Sequence, residues 1–187
     1  MPGRENYSLR SLVEADLAKV LVWRNSERIR ASMYTDRIIT MDEHRQWFKK
    51  TSKDENTICM IFQYQENPSG LVNFTQIDKC NSRCHWGFYL GETDVPRGSG
   101  MAMGYLALEY IFEVIGIHKL YGEALAFNLQ SIKYHKKLGF VEEGRFVEHI
   151  FKNGRYEDII SMAILNKNWL KLKSRLEEHC FGSGEKL

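Results

Sequence analysis

The chain is short of the features that mark several protein classes. Its four cysteines, Cys59, Cys80, Cys84 and Cys180, are too few and too scattered for the disulfide framework of a small secreted domain, so reduced thiols are expected. Cys80 and Cys84 stand beside His85, but a structural zinc site wants four ligands and no second Cys/His pair stands at matching spacing; no metal is expected. No apolar run approaches the roughly 18 residues that cross a bilayer. The opening Met1-Pro2-Gly3-Arg4-Glu5-Asn6 has no apolar signal core, so the cytoplasm is the expected compartment. A net charge of +2 with 27% charged residues lacks the one-sided excess of a nucleic-acid protein, so neither nucleic acid nor membrane is an expected partner. Proline numbers only three, and no repeat, low-complexity tract or linker interrupts the 187 residues, which suit one domain with a core of its own.

What is present is alternation. Tyr7–Leu12 reads as a strand and Val13–Trp23 as a helix with Leu17, Val20, Leu21 and Val22 on its apolar face. Asn25 or Ser26 can cap a short second helix to Met33, and Thr40-Met41-Asp42-Glu43 resembles a capping box ahead of a helix over His44–Lys50. Strands over Thr57–Gln63 and Gly70–Asp78 flank a turn with Pro68 and Gly70 as breakers, and Cys84–Leu90 is the next strand. Met101–Ile115 reads as a helix with one broad buried face, ended by Gly116. Then come a strand over Lys119–Ala126, a helix over Asn128–Leu138, and strands over Val141–Phe151 and Asp158–Leu165. Asn153-Gly154 between the last two is a strong hairpin signal. A helix over Asn166–His179 and a flexible tail from Gly182 close the chain.

Between the strand ending at Leu90 and the helix starting at Met101 sits Arg97-Gly98-Ser99-Gly100-Met101-Ala102. Alternate glycines let backbone N–H groups converge, and the helix adds its free N-terminal donors and the positive end of its dipole, which makes an anion cradle. The Lys-Ser/Thr of a P-loop is missing, and glycines at 98, 100 and 104 miss the GxGxxG spacing by one residue. A plain glycine-rich loop before a core helix is the alternative. Further on, after another strand, stand Asn128-Leu129-Gln130-Ser131 and Leu138-Gly139-Phe140. Strand, Arg-x-x-Gly-x-Ala, helix, strand, Asn-x-x-Ser, short helix, Leu-Gly-Phe: that order resembles the GCN5-related N-acetyltransferase (GNAT) superfamily over Leu9–Leu165.

The resemblance implies an α/β fold with a mixed, largely antiparallel, splayed seven-stranded sheet flanked by helices, spanning residues 7–166, with a C-terminal helix and tail over 167–187. It also implies acetyl-CoA as co-substrate. The pyrophosphate would meet Gly98, Ser99, Gly100, Met101 and Ala102, with charge from Arg97, while the pantetheine arm would pair like an added strand with Phe88, Tyr89 and Leu90. Asn128 and Ser131 resemble family residues that hold the pantetheine amide or the phosphates, although Asn128 is also a plain helix N-cap. An amine would attack directly, a backbone N–H near the end of the strand stabilising the oxyanion. The family's acid is a tyrosine at the position held here by His135, with Tyr134 next to it. Adjacent helical residues point about 100° apart, so one of the two is expected to face the cofactor. Glu123, among small and apolar neighbours that would raise its pKa, is the candidate base; a carboxylate paired with a nearby cation is the alternative.

For the acceptor, Trp23-Arg24-Asn25, Ile29-Arg30, Met33-Tyr34 and His44 to Trp47-Phe48 resemble the branch that acetylates the 4-amino group of a UDP-linked dideoxy sugar in pseudaminic acid synthesis. On that resemblance Arg30 and His44 would meet phosphates, and Met33, Tyr34, Trp47 or Trp23 would stack on a base or a deoxysugar. Core packing is the plain reading of the tryptophans. The cluster Arg24, Arg28, Arg30 and Arg37 favours an anionic acceptor over the basic tail that a ribosomal-protein or N-terminal-peptide acetyltransferase would take. A non-catalytic acetyl-CoA-binding sensor ranks third, and a homodimer is compatible with the family.

Overall fold

In the computed structural model, which describes residues 2–182, the strands are β1 (Tyr7–Ser11), β2 (Ile58–Tyr64), β3 (Asn67–Asp78), β4 (Arg83–Leu90), β5 (Lys119–Leu125), β6 (Val141–Lys152) and β7 (Arg155–Leu165). They form one sheet in the order β1-β2-β3-β4-β5-β7-β6, the mixed seven-stranded sheet expected. Every neighbouring pair is antiparallel except β4 with β5. The period-2 alternation of the strands decides the two faces. Met60, Phe62, Val72, Phe74 and Trp86 point to one core, and Ile61, Leu71 and Tyr89 to the other.

The larger core is covered by α4 (Ser99–Glu109), α5 (Leu129–Lys137) and α6 (Asn166–Phe181); the smaller is covered by α1 (Leu17–Asn25), α2 (Glu27–Arg30) and α3 (Met41–Thr51). Trp169, Leu176 and Cys180 on α6 are buried in the main core, so this helix is part of the packed body. The expected tail lies outside the described residues apart from Gly182.

Local chemistry explains most element ends. Thr40 accepts from the Glu43 N–H while the Glu43 carboxylate accepts from the Thr40 N–H, the reciprocal cap that the sequence suggested for α3. Asn153 and Gly154, at φ 52° and 79°, make the β6–β7 hairpin turn. Several boundaries differ from expectation, two of them for a physical reason seen in the structure. The β2–β3 turn is made by Gln65 and Glu66, both at positive φ (48° and 66°), and β3 runs straight through Pro68. Pairing of β3 with β4 begins only at Gly70, so the missing N–H of Pro68 falls where the strand has one neighbour. The expected helix over Met101–Ile115 starts earlier, at Ser99, and its last turn widens to a π-helical turn over Tyr110–Val114 before Gly116 at φ 78°.

Helices α4 and α5 approach closely because Gly104 has no side chain. A Cβ there would lie 2.5 Å from Tyr134 Oη and 2.6 Å from Leu138 Cδ1. Gly104→Ala is therefore expected to destabilise the fold by about 1–3 kcal/mol through overpacking, despite alanine's better helix propensity, and urea unfolding measures it. An unchanged midpoint would contradict this close packing.

Candidate active site

The site begins where the sheet comes apart. Strands β4 and β5 pair at Arg83 with Lys119, Cys84 with Leu120 and His85 with Tyr121, and then pairing stops. The next two residues are Trp86 and Gly122, and the indole lies over the glycine: a Cβ on Gly122 would be 2.8 Å from both Trp86 Cδ1 and Nε1. Trp86 is held there by stacking on Phe140 (5.3 Å between ring centres) and by Phe88 at 4.5 Å. Beyond it, β4 from Trp86 to Leu90 keeps β3 on one side but has no strand partner on the other. The opening is a cleft of about 770 Å³, walled by β4, β5, α5 and the segment after α2.

The cradle stands at one end. Gly98, at φ 97°, is the N-cap of α4, a left-handed conformation that favours glycine. Not every expected donor is free. The Ser99 N–H donates to the Pro96 carbonyl at 3.1 Å, and those of Met101 and Ala102 donate to the Gly98 carbonyl at 2.8 and 3.1 Å, because the loop closes as a tight first turn. The Ser99 hydroxyl is turned inward, onto Pro96 O (2.7 Å) and beside Tyr7 Oη (3.2 Å). That leaves the N–H groups of Gly98 and Gly100 without a backbone acceptor among the described residues. Arg97 is exposed beside them. A Cβ on Gly100 would make only ordinary contacts, 3.5 Å to Leu90 Cδ1 and 3.9 Å to Tyr134 Cε2. Packing within the protein does not demand glycine at 100, and glycine in a helix costs about 1 kcal/mol against alanine. The bare backbone fits close approach by an anionic group, and the unpaired edge of β4, with Phe88, Tyr89 and Leu90, fits an amide-rich arm. The residues present suit a CoA-type molecule.

Helix α5 supplies the ring groups. Asn128 caps it, its side chain accepting from the Ser131 N–H at 3.0 Å, and both residues line the cleft. Tyr134 and His135 line it too, contrary to the expectation that only one would. Tyr134 reaches back over α4, packs on Phe88 (4.7 Å) and donates to the Gly100 carbonyl at 2.6 Å. Burial pushes its phenol pKa up, so the proton stays on. His135, 2% exposed, points to the floor between Trp86 and Phe140. Its Nδ1 lies 2.8 Å from the Ser131 carbonyl, and a carbonyl only accepts, so Nδ1 carries the proton. Burial holds the imidazole pKa below its ordinary value, against the opposing pull of that hydrogen bond. The neutral ring therefore presents Nε2 as an acceptor. The resemblance implied a proton donor at this position, and the tautomer seen leaves only an accepting nitrogen on the neutral ring.

Across the cleft on β5, Glu123 is half-buried and accepts from Tyr34 Oη at 2.5 Å, with no salt bridge to a cation among the described residues. Burial first, and then the carboxylate, push the Tyr34 phenol pKa up, so Tyr34 is the donor. His85, beside Thr75 Oγ1 at 3.4 Å and edge-on to Tyr121, is likewise held below its ordinary pKa by burial.

The acceptor wall differs from the sequence expectation. Met33 and Tyr34 are on it; Arg30, His44 and Trp47 are not. Arg30 spends its guanidinium on the carbonyls of Asn25 (2.9 Å) and Asp36 (2.6 Å). His44, 5% exposed, stacks on Trp47 at 5.0 Å on the inner side of α3, and Trp47 packs on the smaller core. Trp23 is buried with its indole N–H on Glu92 at 3.1 Å. The cationic groups on the wall are instead Arg24 and Arg28; Arg24 Nη2 donates to the Thr35 carbonyl at 2.7 Å while its Nη1 is buried without a partner among the described residues. The arginine cluster in the sequence was the signal for it; nothing in the sequence singled out Trp86.

Residues 7–141 match the family of acetyltransferase (GNAT) domains. The chain is similar to a spermidine N(1)-acetyltransferase of Vibrio cholerae, 27% identical over 164 residues covering 87% of this chain and 95% of that protein. A putative ribosomal N-acetyltransferase of Bacillus subtilis is 20% identical over 172 residues, 88% of this chain and 94% of its own length. Among solved structures, spermidine N-acetyltransferase from Vibrio cholerae in complex with CoA and spermine superposes with a TM-score of 0.83 at 26% identity, covering 89% of this chain and 99% of that one.

Gly100→Val tests the cradle. The variant is expected to fold, with its unfolding midpoint near that of the parent, and to lose acetyl-CoA affinity by tenfold or more in calorimetry, about 1.4 kcal/mol. Unchanged affinity would remove the cradle from cofactor binding.

Proposed function

The chain belongs to the GNAT acetyltransferase family, and with acyl transfer as the premise we propose that it carries the acetyl group of acetyl-CoA to the primary amine of an anionic acceptor, specifically the 4-amino group of a UDP-linked amino-dideoxy sugar. The observation that carries the anionic acceptor is Arg24. Its buried Nη1 lacks a partner among the described residues, and burial pulls the guanidinium pKa down, so an anion brought against Arg24 by a shift of its side chain would relieve a desolvated charge. Arg28 lies at the rim, donating to the Leu90 and Gly91 carbonyls. Met33 and Tyr34 offer apolar surface for a ring beside it.

A polyamine is the second reading, favoured by the relatives named as spermidine acetyltransferases. Glu123 could pair one ammonium group. The further ammonium groups of a polyamine would then meet Arg24 and Arg28, with Glu123 the single carboxylate of the wall among the described residues and already bonded to Tyr34.

Acetyl-CoA would supply the acyl carbonyl and a thiolate leaving group. The N–H groups of Gly98 and Gly100, with the positive end of α4, would hold its phosphates, and the free edge of β4 would orient its amide arm. Glu123, oriented by Tyr34, is positioned to take the first proton from the acceptor ammonium. His135 Nε2 is available for the second, and Tyr134 is the donor beside the cradle that can protonate the thiolate.

Thiol release is the assay. The reading expects turnover with the UDP-4-amino-dideoxy sugar and little with spermidine, spermine or peptide amines, and Arg24→Gln should raise the acceptor KM by roughly tenfold or more. Turnover confined to polyamines would overturn it. The His135 role makes a pH prediction with a definite sign. Nε2 accepts only while the ring is neutral, and its pKa lies below the ordinary value of about 6.5. Turnover should be indifferent to this group above that pH and fall as pH drops below it. His135→Gln should lower kcat by about a hundredfold and abolish that limb; persistence of the limb would exclude His135 as its source.

A further inference from the structure

The wall that carries Met33 and Tyr34 belongs to Ala31–Ile39, a segment without regular secondary structure. Such a segment keeps its place only through what its backbone is tied to. Most of its ties are local: Arg24 donates to Thr35 O at 2.7 Å, Arg30 to Asp36 O at 2.6 Å, and Asn25 exchanges hydrogen bonds with Ile39 at 2.8 and 2.9 Å. All three come from α1 and α2, on the same side of the cleft.

Two ties cross to the other side. One is Tyr34 to Glu123. The other is Lys152, the last residue of β6, whose side chain is 1% exposed. Its Nζ donates to Met33 O at 2.9 Å and to Arg30 O at 3.4 Å, and stands 3.4 Å from Asp36 Oδ2. A buried ammonium is costly unless its hydrogens are all met, and here the carbonyl that ends α2, that of Met33 beyond it, and one carboxylate meet them. The turn Asn153-Gly154 sets the direction of the chain immediately after it, and β7 joins that hairpin directly to β5, the strand of Glu123.

We infer that Lys152 is a positioning residue that sets the width of the acceptor mouth, holding Met33 and Tyr34 at a fixed distance from Glu123. The inference rests on the reading of this wall as the acceptor side. An acceptor amine that uses Glu123 as a base reaches the same carboxylate that holds the Tyr34 hydroxyl through Oε2, and so competes with that bond. When that bond opens, Lys152 is the cross-cleft tether that remains among the side-chain ties described.

The test is Lys152→Met in the full chain, with acetyl-CoA affinity by calorimetry, acceptor KM and kcat by thiol release, and amide hydrogen exchange by mass spectrometry. Acceptor KM should rise roughly tenfold or more, with kcat changed by less than about threefold and acetyl-CoA affinity retained. Exchange should speed up over residues 31–36 and stay unchanged over 98–102. Unchanged exchange over 31–36, or a loss shared equally between acetyl-CoA affinity and acceptor KM, would overturn the inference and leave Lys152 a general structural residue. If Lys152→Met does not fold, Asp36→Asn, at a half-exposed side chain, removes one of the three partners and should move the same readouts in smaller measure. Failure of the proposed function reads out separately, as a wild-type protein that turns over no amine, and the exchange measurement still decides the role of Lys152.

Discussion

The rest of the molecule depends on one interruption. After His85 and Tyr121 the sheet would continue its ladder into Trp86 and Gly122, and an indole laid across a glycine occupies the space instead. The aromatic cluster of Trp86, Phe88, His135 and Phe140 holds it in position, so the separation of β4 and β5 is a packed state. From that separation follow a strand edge open to an amide-bearing ligand, a floor for α5 to lie against, and a cleft that receives groups from both cores.

The chemistry of the cleft is set by two adjacent residues that do different work. Tyr134 can lie over α4 because Gly104 has no side chain, and its proton is directed at the Gly100 carbonyl. His135 is turned to the floor and its tautomer is fixed by its own helix, through the Ser131 carbonyl. In the proposed mechanism one gives a proton and the other receives one. There the residue at the family's acid position is the acceptor and the neighbouring phenol the donor, an assignment that depends on hydrogen-bond direction more than on any pKa.

Much of this was legible in the sequence where the cause is local. The cap at Thr40, the Asn153-Gly154 turn, the glycine loop before α4 and the Asn128 cap are determined within a few residues, and each stands where local chemistry puts it. Misreadings came where tertiary context decides. Pro68 looked like a breaker but sits at a one-sided stretch of strand. Arg30 and His44 looked free to meet phosphates, yet one is spent on carbonyls of the chain around it and the other is buried as part of α3. Arg24 was visible only as one of a cluster, and its orphaned nitrogen is a fact of packing. Lys152 reads as an ordinary turn lysine, because its partners lie more than a hundred residues away, with separations of 122 and 119.

The central claim, that the gap between β4 and β5 together with the Gly98–Gly100 turn is the CoA site, is tested most directly by titrating CoA into isotope-labelled protein and following backbone amide resonances. The account predicts the largest shifts at Gly98, Gly100 and Phe88 to Leu90, with smaller ones at Asn128 and Ser131. Saturable binding whose shifts fall elsewhere, with the amides of Gly98, Gly100 and β4 unmoved, would contradict it.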